Sequence, residues 1–188
     1  MDDRDWIVRK IESSDGVILA SPNYAANVSW LMKNYIDRFA YTCHRPRYFN
    51  KKFMILITSG SYMGVKNAMK ALSIMASGGN ITSRLSVLNS PGMNDKKKKI
   101  QEAQIKKSTL KFAKLMSENN QGRPRFSYLI WFSAFKAAAS KNQKVYPADF
   151  EYYKNKEYFT DYDLNTFQKL SIKVFRHFFG FMINKGIV

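Results

Sequence analysis

The alternation of two residue patterns constrains the fold of this sequence more than any other feature. Continuous apolar runs occupy residues 17–20 and 53–57, and a less apolar third run covers residues 81–88. Such runs are typical of strands that are buried on both faces of a parallel sheet. Between and after them, apolar residues recur at helical spacing in residues 5–14, 28–41, 65–76 and 95–118. This alternation predicts an α/β fold with a parallel sheet and helices on both of its faces.

Turn-forming and capping residues mark the ends of these predicted elements. Ser21-Pro22-Asn23 is expected to end the first strand, because proline lacks a backbone donor. The glycines at residues 78 and 79 stop the third helix. Asp95 is the predicted cap of the long fourth helix. Residues 1–122 are therefore predicted to form one layered domain.

The last third of the chain has a different composition. Residues 123–188 hold 17 of the chain's 28 aromatic residues. Helices are predicted at residues 125–139 and 164–184, with a short polar and aromatic segment between them. The terminal helix carries apolar residues in register at Phe167, Leu170, Val174, Phe178 and Phe181. Residues 123–188 are predicted to be a helical, aromatic-rich extension, and we favour a core role for its last helix, packed on the sheet.

The net charge of +17 is spread along the whole chain. The excess of Lys and Arg over Asp and Glu is +6 in residues 1–92, +5 in residues 93–122 and +6 in residues 123–188. A basic surface attracts anionic cofactors as well as polyanions. Because no RNA-binding signature accompanies it, we expect no nucleic-acid partner.

Cys43 is the single cysteine of the sequence, so neither a disulfide within the chain nor a cysteine metal cluster is possible. Beside His44 it is either a reactive thiol or a packed small residue at a helix end, and we favour the second. The sequence opens on acidic residues and contains no apolar run as long as a signal or membrane span. We therefore expect a cytoplasmic protein.

Two predicted strand ends carry the chemistry of a ligand site, since ligands of parallel α/β sheets bind beyond the carboxyl ends of the strands. The first loop comprises Ser21, Pro22, Asn23, Tyr24, Ala25, Ala26 and Asn27, and the second begins with Thr58, Ser59, Gly60, Ser61 and Tyr62. Small residues allow backbone groups to approach a flat ligand, and a tyrosine in each loop can stack on a ring. Each loop also leads into a helix whose first N–H groups attract negative charge. Ordinary turn chemistry is the alternative explanation for either loop alone.

Residues 15–24, DGVILASPNY, and residues 31–38, LMKNYIDR, occur in an order and spacing that resemble a known family. They are similar to the NAD(P)H-dependent FMN reductases and iron–sulfur flavoproteins of the flavodoxin-like superfamily, over about residues 2–118. The resemblance implies a flavodoxin-like three-layer sandwich that binds FMN and takes hydride from NADH or NADPH as co-substrate. The electron acceptor would be a small molecule or a redox protein, and a dimer or tetramer is expected.

The same resemblance assigns roles to the two loops. Residues 21–27 would line the flavin ring, and residues 58–62 would cover its other side. Lys33, Asp37 and Arg38 are expected in helix packing or a subunit interface rather than in catalysis. The family's hydride transfer requires no protein acid or base, so no catalytic residue and no metal ligand are predicted.

The sequence departs from the family pattern before residue 15. The first strand, a Ser-x-Arg-type phosphate loop and the second strand of a typical member have no counterpart here. Charge-assisted hydrogen bonds contribute about 1.5–3 kcal/mol each, so loss of the phosphate loop would weaken FMN binding. Residues 17–20 would also form an exposed apolar edge. We expect a truncated gene product, a partner chain that supplies the missing strands, or an aromatic tail that covers the edge.

Two other functions remain open. The chain would be a non-catalytic remnant if it binds no flavin, or a dimerisation module if it pairs with another chain through its strand edge. It would be a peripheral membrane protein if the basic, aromatic terminal helix lies on an anionic surface. We favour the flavin-dependent reductase over both.

Overall fold

The computed structural model describes residues 3–118 and 124–187. The chain forms two compact units, Met1–Gly122 and Arg123–Val188, called here the first and second unit. The elements of the first unit are α1 (Arg4–Ser13), β1 (Gly16–Tyr24), β2 (Asn27–Val28), α2 (Trp30–Arg38), α3 (Tyr41–His44), β3 (Lys52–Ser59), α4 (Val65–Met75), β4 (Asn80–Leu88) and α5 (Asp95–Met116).

The sheet of the first unit has the strand order β2-β1-β3-β4. Strands β1, β3 and β4 are parallel, with Ile18 opposite Met54 and Leu56 opposite Leu85. The two-residue strand β2 runs antiparallel to the end of β1. The predicted α/β class with a parallel sheet is confirmed.

Helices cover both faces of the sheet because β3 is apolar on both of its sides. Phe53, Ile55 and Ile57 point into the larger core, where α1, α2 and α4 pack. Full burial of such a side chain contributes about 1.5–3 kcal/mol. The alternate residue Met54 joins Leu85 in a second cluster under Phe112 of α5. This alternation produces the three layers that the sequence predicted.

Three predicted boundaries are wrong. Strand β1 continues through Pro22 to Tyr24, which is possible because an edge strand tolerates the missing proline donor. The helix predicted at residues 28–41 divides into β2, α2 and α3, since Ser29 caps α2 by accepting a hydrogen bond from Met32 N. Asn94, rather than Asp95, caps α5 through its bond from Lys97 N.

The outer side of β1 is largely open. Among the described residues, β1 pairs with β3 along one side, but on the other side only Asn23 and Tyr24 pair, with β2. Ile18, in the middle of the strand, is 54% exposed. The exposed apolar edge predicted for residues 17–20 is therefore present in the first unit.

The second unit consists of α6 (Phe126–Lys141), α7 (Pro147–Tyr153) and α8 (Thr166–Asn184). Its core is aromatic: the ring of Phe132 lies 5.1 Å from that of Phe159 and 5.6 Å from that of Tyr153. The buried hydroxyl of Ser133 on α6 contacts the carbonyl oxygen of Ile172 on α8 at 3.2 Å. The helical character predicted for this part of the chain is confirmed.

The predicted apolar face of the terminal helix lies outside the core of the second unit. Ile172, on the opposite side of α8, is the residue that is buried among the side chains described in this helix. The residues predicted to be in register are all exposed: Phe167, Leu170, Val174, Phe178 and Phe181. Periodicity identifies an apolar face but does not say what covers it. None of the described helices has both the length and the apolar composition that a membrane span requires.

Candidate functional site

The two loops predicted to bind a ligand lie side by side because β1 and β3 are parallel and in register. Pro22 of β1 is paired with Thr58 of β3, so the segments that follow leave the sheet at the same edge. The structure thus brings residues 21–27 and 58–62, the predicted site residues, to one edge of the sheet.

The first loop is a tight hairpin with unusual backbone angles. Tyr24 pairs with Asn27, and the two residues between them, Ala25 and Ala26, have φ angles of 49° and 63°. A two-residue hairpin turn with positive φ at both positions is of type I′, which normally takes Asn and Gly. Alanine in this region is strained, and such strain occurs most often at functional sites.

Asn23 joins the two loops. Its Nδ2 donates to Ser59 Oγ at 3.0 Å and to the carbonyl oxygen of Met63 at 2.7 Å. Because a carbonyl only accepts hydrogen bonds, the contact with Met63 fixes the orientation of the amide. Ser59 Oγ in turn donates to Ser61 O at 2.6 Å, so one network runs through both loops.

The same orientation leaves the other end of the Asn23 amide without a partner. Asn23 Oδ1 is buried and accepts no hydrogen bond from any residue that the structure describes. A buried acceptor in this condition costs about 1–3 kcal/mol unless a donor is supplied. An N–H group of a ligand bound between the loops would supply such a donor.

The loops touch where α4 begins. Gly64, the N-cap of α4, has φ of +76°, and a Cβ built there would lie 2.1 Å from Ala26 Cα. Glycine is therefore required for two reasons: its φ is positive, and Ala26 leaves no space for a Cβ atom. On the other side of the hairpin, Ser21 Oγ accepts from Ser29 N at 3.0 Å and so fixes the return of the chain into α2.

Large side chains surround this edge and face outward. Tyr24 and Tyr62 are exposed, as is Met63. They are free to stack on a flat ring, which is the role predicted for the two tyrosines. Thr58 and Gly60 are exposed as well, whereas Ser21 and Ser59 are buried and hold the loops in shape.

Sequence reasoning missed two parts of this site. The carbonyl oxygen of Met63 and the contact between Gly64 and Ala26 were not predicted. A glycine directly before a helical pattern was the available signal for a close approach at Gly64. The residues present fit a flavin ring, because the loops offer an orphaned acceptor, small residues for backbone contacts, and stacking surfaces.

Cys43 lies outside this site, half-buried in α3. Burial raises the pKa of its thiol above the ordinary value, which disfavours the reactive thiolate. Cys43 is therefore a packed residue in a short helix, as the sequence interpretation favoured. In α2, burial and, to a smaller extent, the charge of Tyr41 raise the pKa of Tyr35 to about 12.

The layered sheet and the two loops at its carboxyl edge define an α/β protein with a candidate ligand site beyond its strand ends. The model of a family described as NADPH-dependent FMN reductase matches residues 1–93. Residues 1–93, about half of the chain, are thus similar to that family, and the resemblance that the sequence motifs indicated is confirmed.

Known proteins resemble parts of the chain. A stretch of 45 residues is 53% identical to an iron-sulfur flavoprotein of Archaeoglobus fulgidus, and it covers 24% of this chain and 20% of that protein. The chain thus spans about a fifth of that relative's length.

Two solved structures are also similar. The Trp repressor binding protein of Bacillus subtilis is 22% identical with a TM-score of 0.39, covering 48% of this chain and 65% of that one. A flavodoxin, WrbA-like protein of Agrobacterium tumefaciens is 17% identical with a TM-score of 0.43, covering 63% and 75% of the two chains.

Proposed function

We propose that the first unit binds FMN between its two strand-end loops and acts as an NAD(P)H-dependent oxidoreductase. The observation that carries this proposal is the buried, unpartnered Oδ1 of Asn23 in the network that joins the loops. Bound flavin would supply the redox chemistry, by accepting hydride from a nicotinamide. The protein would supply binding and orientation.

The residues of the proposed site divide by task. Asn23 Oδ1 would accept a hydrogen bond from the flavin ring, because its Nδ2 is already committed to Ser59 and Met63. The exposed rings of Tyr24 and Tyr62 would stack on the flavin or on the nicotinamide. No side chain is assigned to acid–base catalysis.

Ring binding is separable from phosphate binding in this proposal. The two loops provide contacts for a flat, polar-edged ring, and the basic surface provides only general attraction for a phosphate. We expect FMN and riboflavin to bind with similar affinity unless another chain or segment contributes a phosphate loop. NADH and NADPH are both candidate co-substrates, and a cytoplasmic homo-oligomer that passes electrons to a small molecule or redox protein is proposed.

The test is the visible spectrum of the purified chain after incubation with FMN and removal of excess by gel filtration. Retained bands at about 375 and about 450 nm would establish flavin binding. Loss of the 450 nm band on anaerobic addition of NADPH or NADH would establish the reductase activity. A colourless protein, or bound flavin that neither nicotinamide bleaches, would contradict the corresponding half of the proposal.

The open side of β1 favours a second candidate function, as a dimerisation module. An unpaired apolar strand edge invites another strand, and Ile18 is the most exposed large side chain of residues 17–20. Sedimentation of the wild type should then show self-association that Ile18→Glu abolishes. Ile100→Glu, at a comparably exposed isoleucine on α5, is the control and should leave the assembly unchanged.

A further inference from the structure

Helix α8 presents a continuous apolar stripe that its own unit does not cover. The stripe consists of Phe167, Leu170, Val174, Phe178 and Phe181, whose exposure ranges from 53% to 67%. At 3.6 residues per turn, these five positions fall within a sector of about 80°. The 19-residue helix is about 28 Å long, so the stripe extends along most of one side of it.

The charges of α8 are all positive. Lys169, Lys173 and Arg176 are the charged residues of the helix, and none is acidic. The acidic residues of the second unit lie between residues 149 and 163, outside α8. At 100° per residue, these three residues lie about 100–160° from the middle of the stripe. They line a groove together with Glu157. The helix therefore combines an apolar side with a mainly basic opposite side.

A basic groove adjoins the stripe. It has a volume of about 560 Å³ and lies between α6 and α8, where its lining includes Lys141, Arg176, His177 and Phe181. Phe181 belongs both to the stripe and to the groove wall. An apolar surface and a cationic pocket of this kind together match a lipid: acyl chains below the stripe and an anionic headgroup beside it.

We propose that α8 docks on an anionic membrane surface, lying parallel to it with the stripe buried at the boundary between headgroups and acyl chains. The three phenylalanines and the leucine supply apolar area, and the basic groove and the net charge of +6 of the second unit attract the negative headgroups. This inference is independent of the flavin site, because every residue that carries it lies in the second unit.

A second copy of the chain fits the same surface less well. Two copies packed through their α8 stripes would bring together two second units that each carry a net charge of +6. Paired helices normally place opposite charges beside the apolar seam, whereas like charges oppose association. An anionic lipid surface instead attracts the positive charges of the second unit.

The experiment is co-sedimentation of the full chain with vesicles. One set is phosphatidylcholine alone, and the other contains about 30% phosphatidylglycerol to provide negative surface charge. We expect binding to the anionic vesicles, and weaker binding at about 0.5 M than at about 0.05 M NaCl because salt screens the attraction.

Leu170→Ser tests the stripe, with Leu110→Ser as its matched control. The two leucines are 58% and 60% exposed on long helices, but Leu110 lies on α5. Replacing Leu170 should weaken vesicle binding by about tenfold, and replacing Leu110 should not change it. Far-UV circular dichroism of both variants verifies that they fold.

Phe178→Trp provides a fluorescence signal for insertion of the stripe and does not depend on weakening the binding. Its emission should shift to shorter wavelength and be quenched by brominated lipids when anionic vesicles are added. Absence of sedimentation with anionic vesicles at low salt would overturn the proposal. Equal effects of the two leucine variants, or self-association that Leu170→Ser alone abolishes without any vesicle binding, would also overturn it, the latter in favour of a second copy.

Discussion

Gly64→Ala tests the close contact between the two strand-end loops. At φ of +76°, alanine in place of glycine costs about 1 kcal/mol. The added Cβ would also lie 2.1 Å from Ala26 Cα, which is backbone and cannot rotate away. Overpacking of this kind adds about 1–3 kcal/mol, for a total of about 2–4 kcal/mol.

Two other glycines separate these contributions. Gly92 has φ of +83° but open space around its Cβ position, so Gly92→Ala carries the conformational cost alone, about 1 kcal/mol. Gly60 also has open space and is not among the glycines with positive φ. Gly60→Ala should therefore change the free energy of unfolding by less than about 0.5 kcal/mol.

The assay is thermal unfolding of the full chain, followed by circular dichroism and calorimetry. Gly64→Ala should lower the Tm of the first unit by about 10 °C, Gly92→Ala by about 3 °C, and Gly60→Ala by no more than about 2 °C. If Gly64→Ala and Gly92→Ala had the same effect, the loops would not be in contact at Ala26, and the described geometry of the site would be refuted.

Three further predictions concern single side chains. Asn23→Ala should change the free energy of unfolding of the flavin-free first unit by less than about 1 kcal/mol in urea unfolding, because loss of the two loop-bridging hydrogen bonds is offset by removal of the unpartnered Oδ1; a loss of more than about 2 kcal/mol would mean that Oδ1 has a partner in the flavin-free protein. Cys43 should react with a disulfide reagent more slowly than free cysteine at pH 8, because burial raises its pKa; an equal or faster rate would contradict its packing. Tyr35 has a folded-state pKa of about 12 against 10.0 for the free phenol, so its stabilising contribution is full below pH 10 and is lost as pH rises to about 12. Tyr35→Phe should reduce that loss in alkaline unfolding curves, and identical curves would contradict it.

The sequence predicted the layers of the first unit well because their causes are local. The apolar runs at residues 53–57 and 81–88 became β3 and β4, and helical spacing at residues 65–76 became α4. Parallel pairing then placed the two loops at one edge, as strand direction requires. What the sequence could not supply was the geometry between the loops.

The missed details depend on tertiary contacts. Two alanines with positive φ contradict local preference, so their hairpin was not predictable from residue type. The partners of Asn23 lie 36 and 40 residues further along the chain, beyond any local pattern. The exposed stripe of α8 illustrates the same limit, since helical periodicity is identical for a buried face and a face that binds an external partner.

The most direct test of the central claim is a fluorescence titration of FMN and riboflavin with the full chain and with Asn23→Ala. If the strand-end loops form the flavin-ring site, the wild type should bind both flavins, and Asn23→Ala should bind each at least about tenfold more weakly. Asn142→Ala, which removes a single side-chain hydrogen bond in the second unit, is the control and should bind like the wild type. Equal flavin affinity of the wild type and Asn23→Ala, or no binding by the wild type, would contradict the claim.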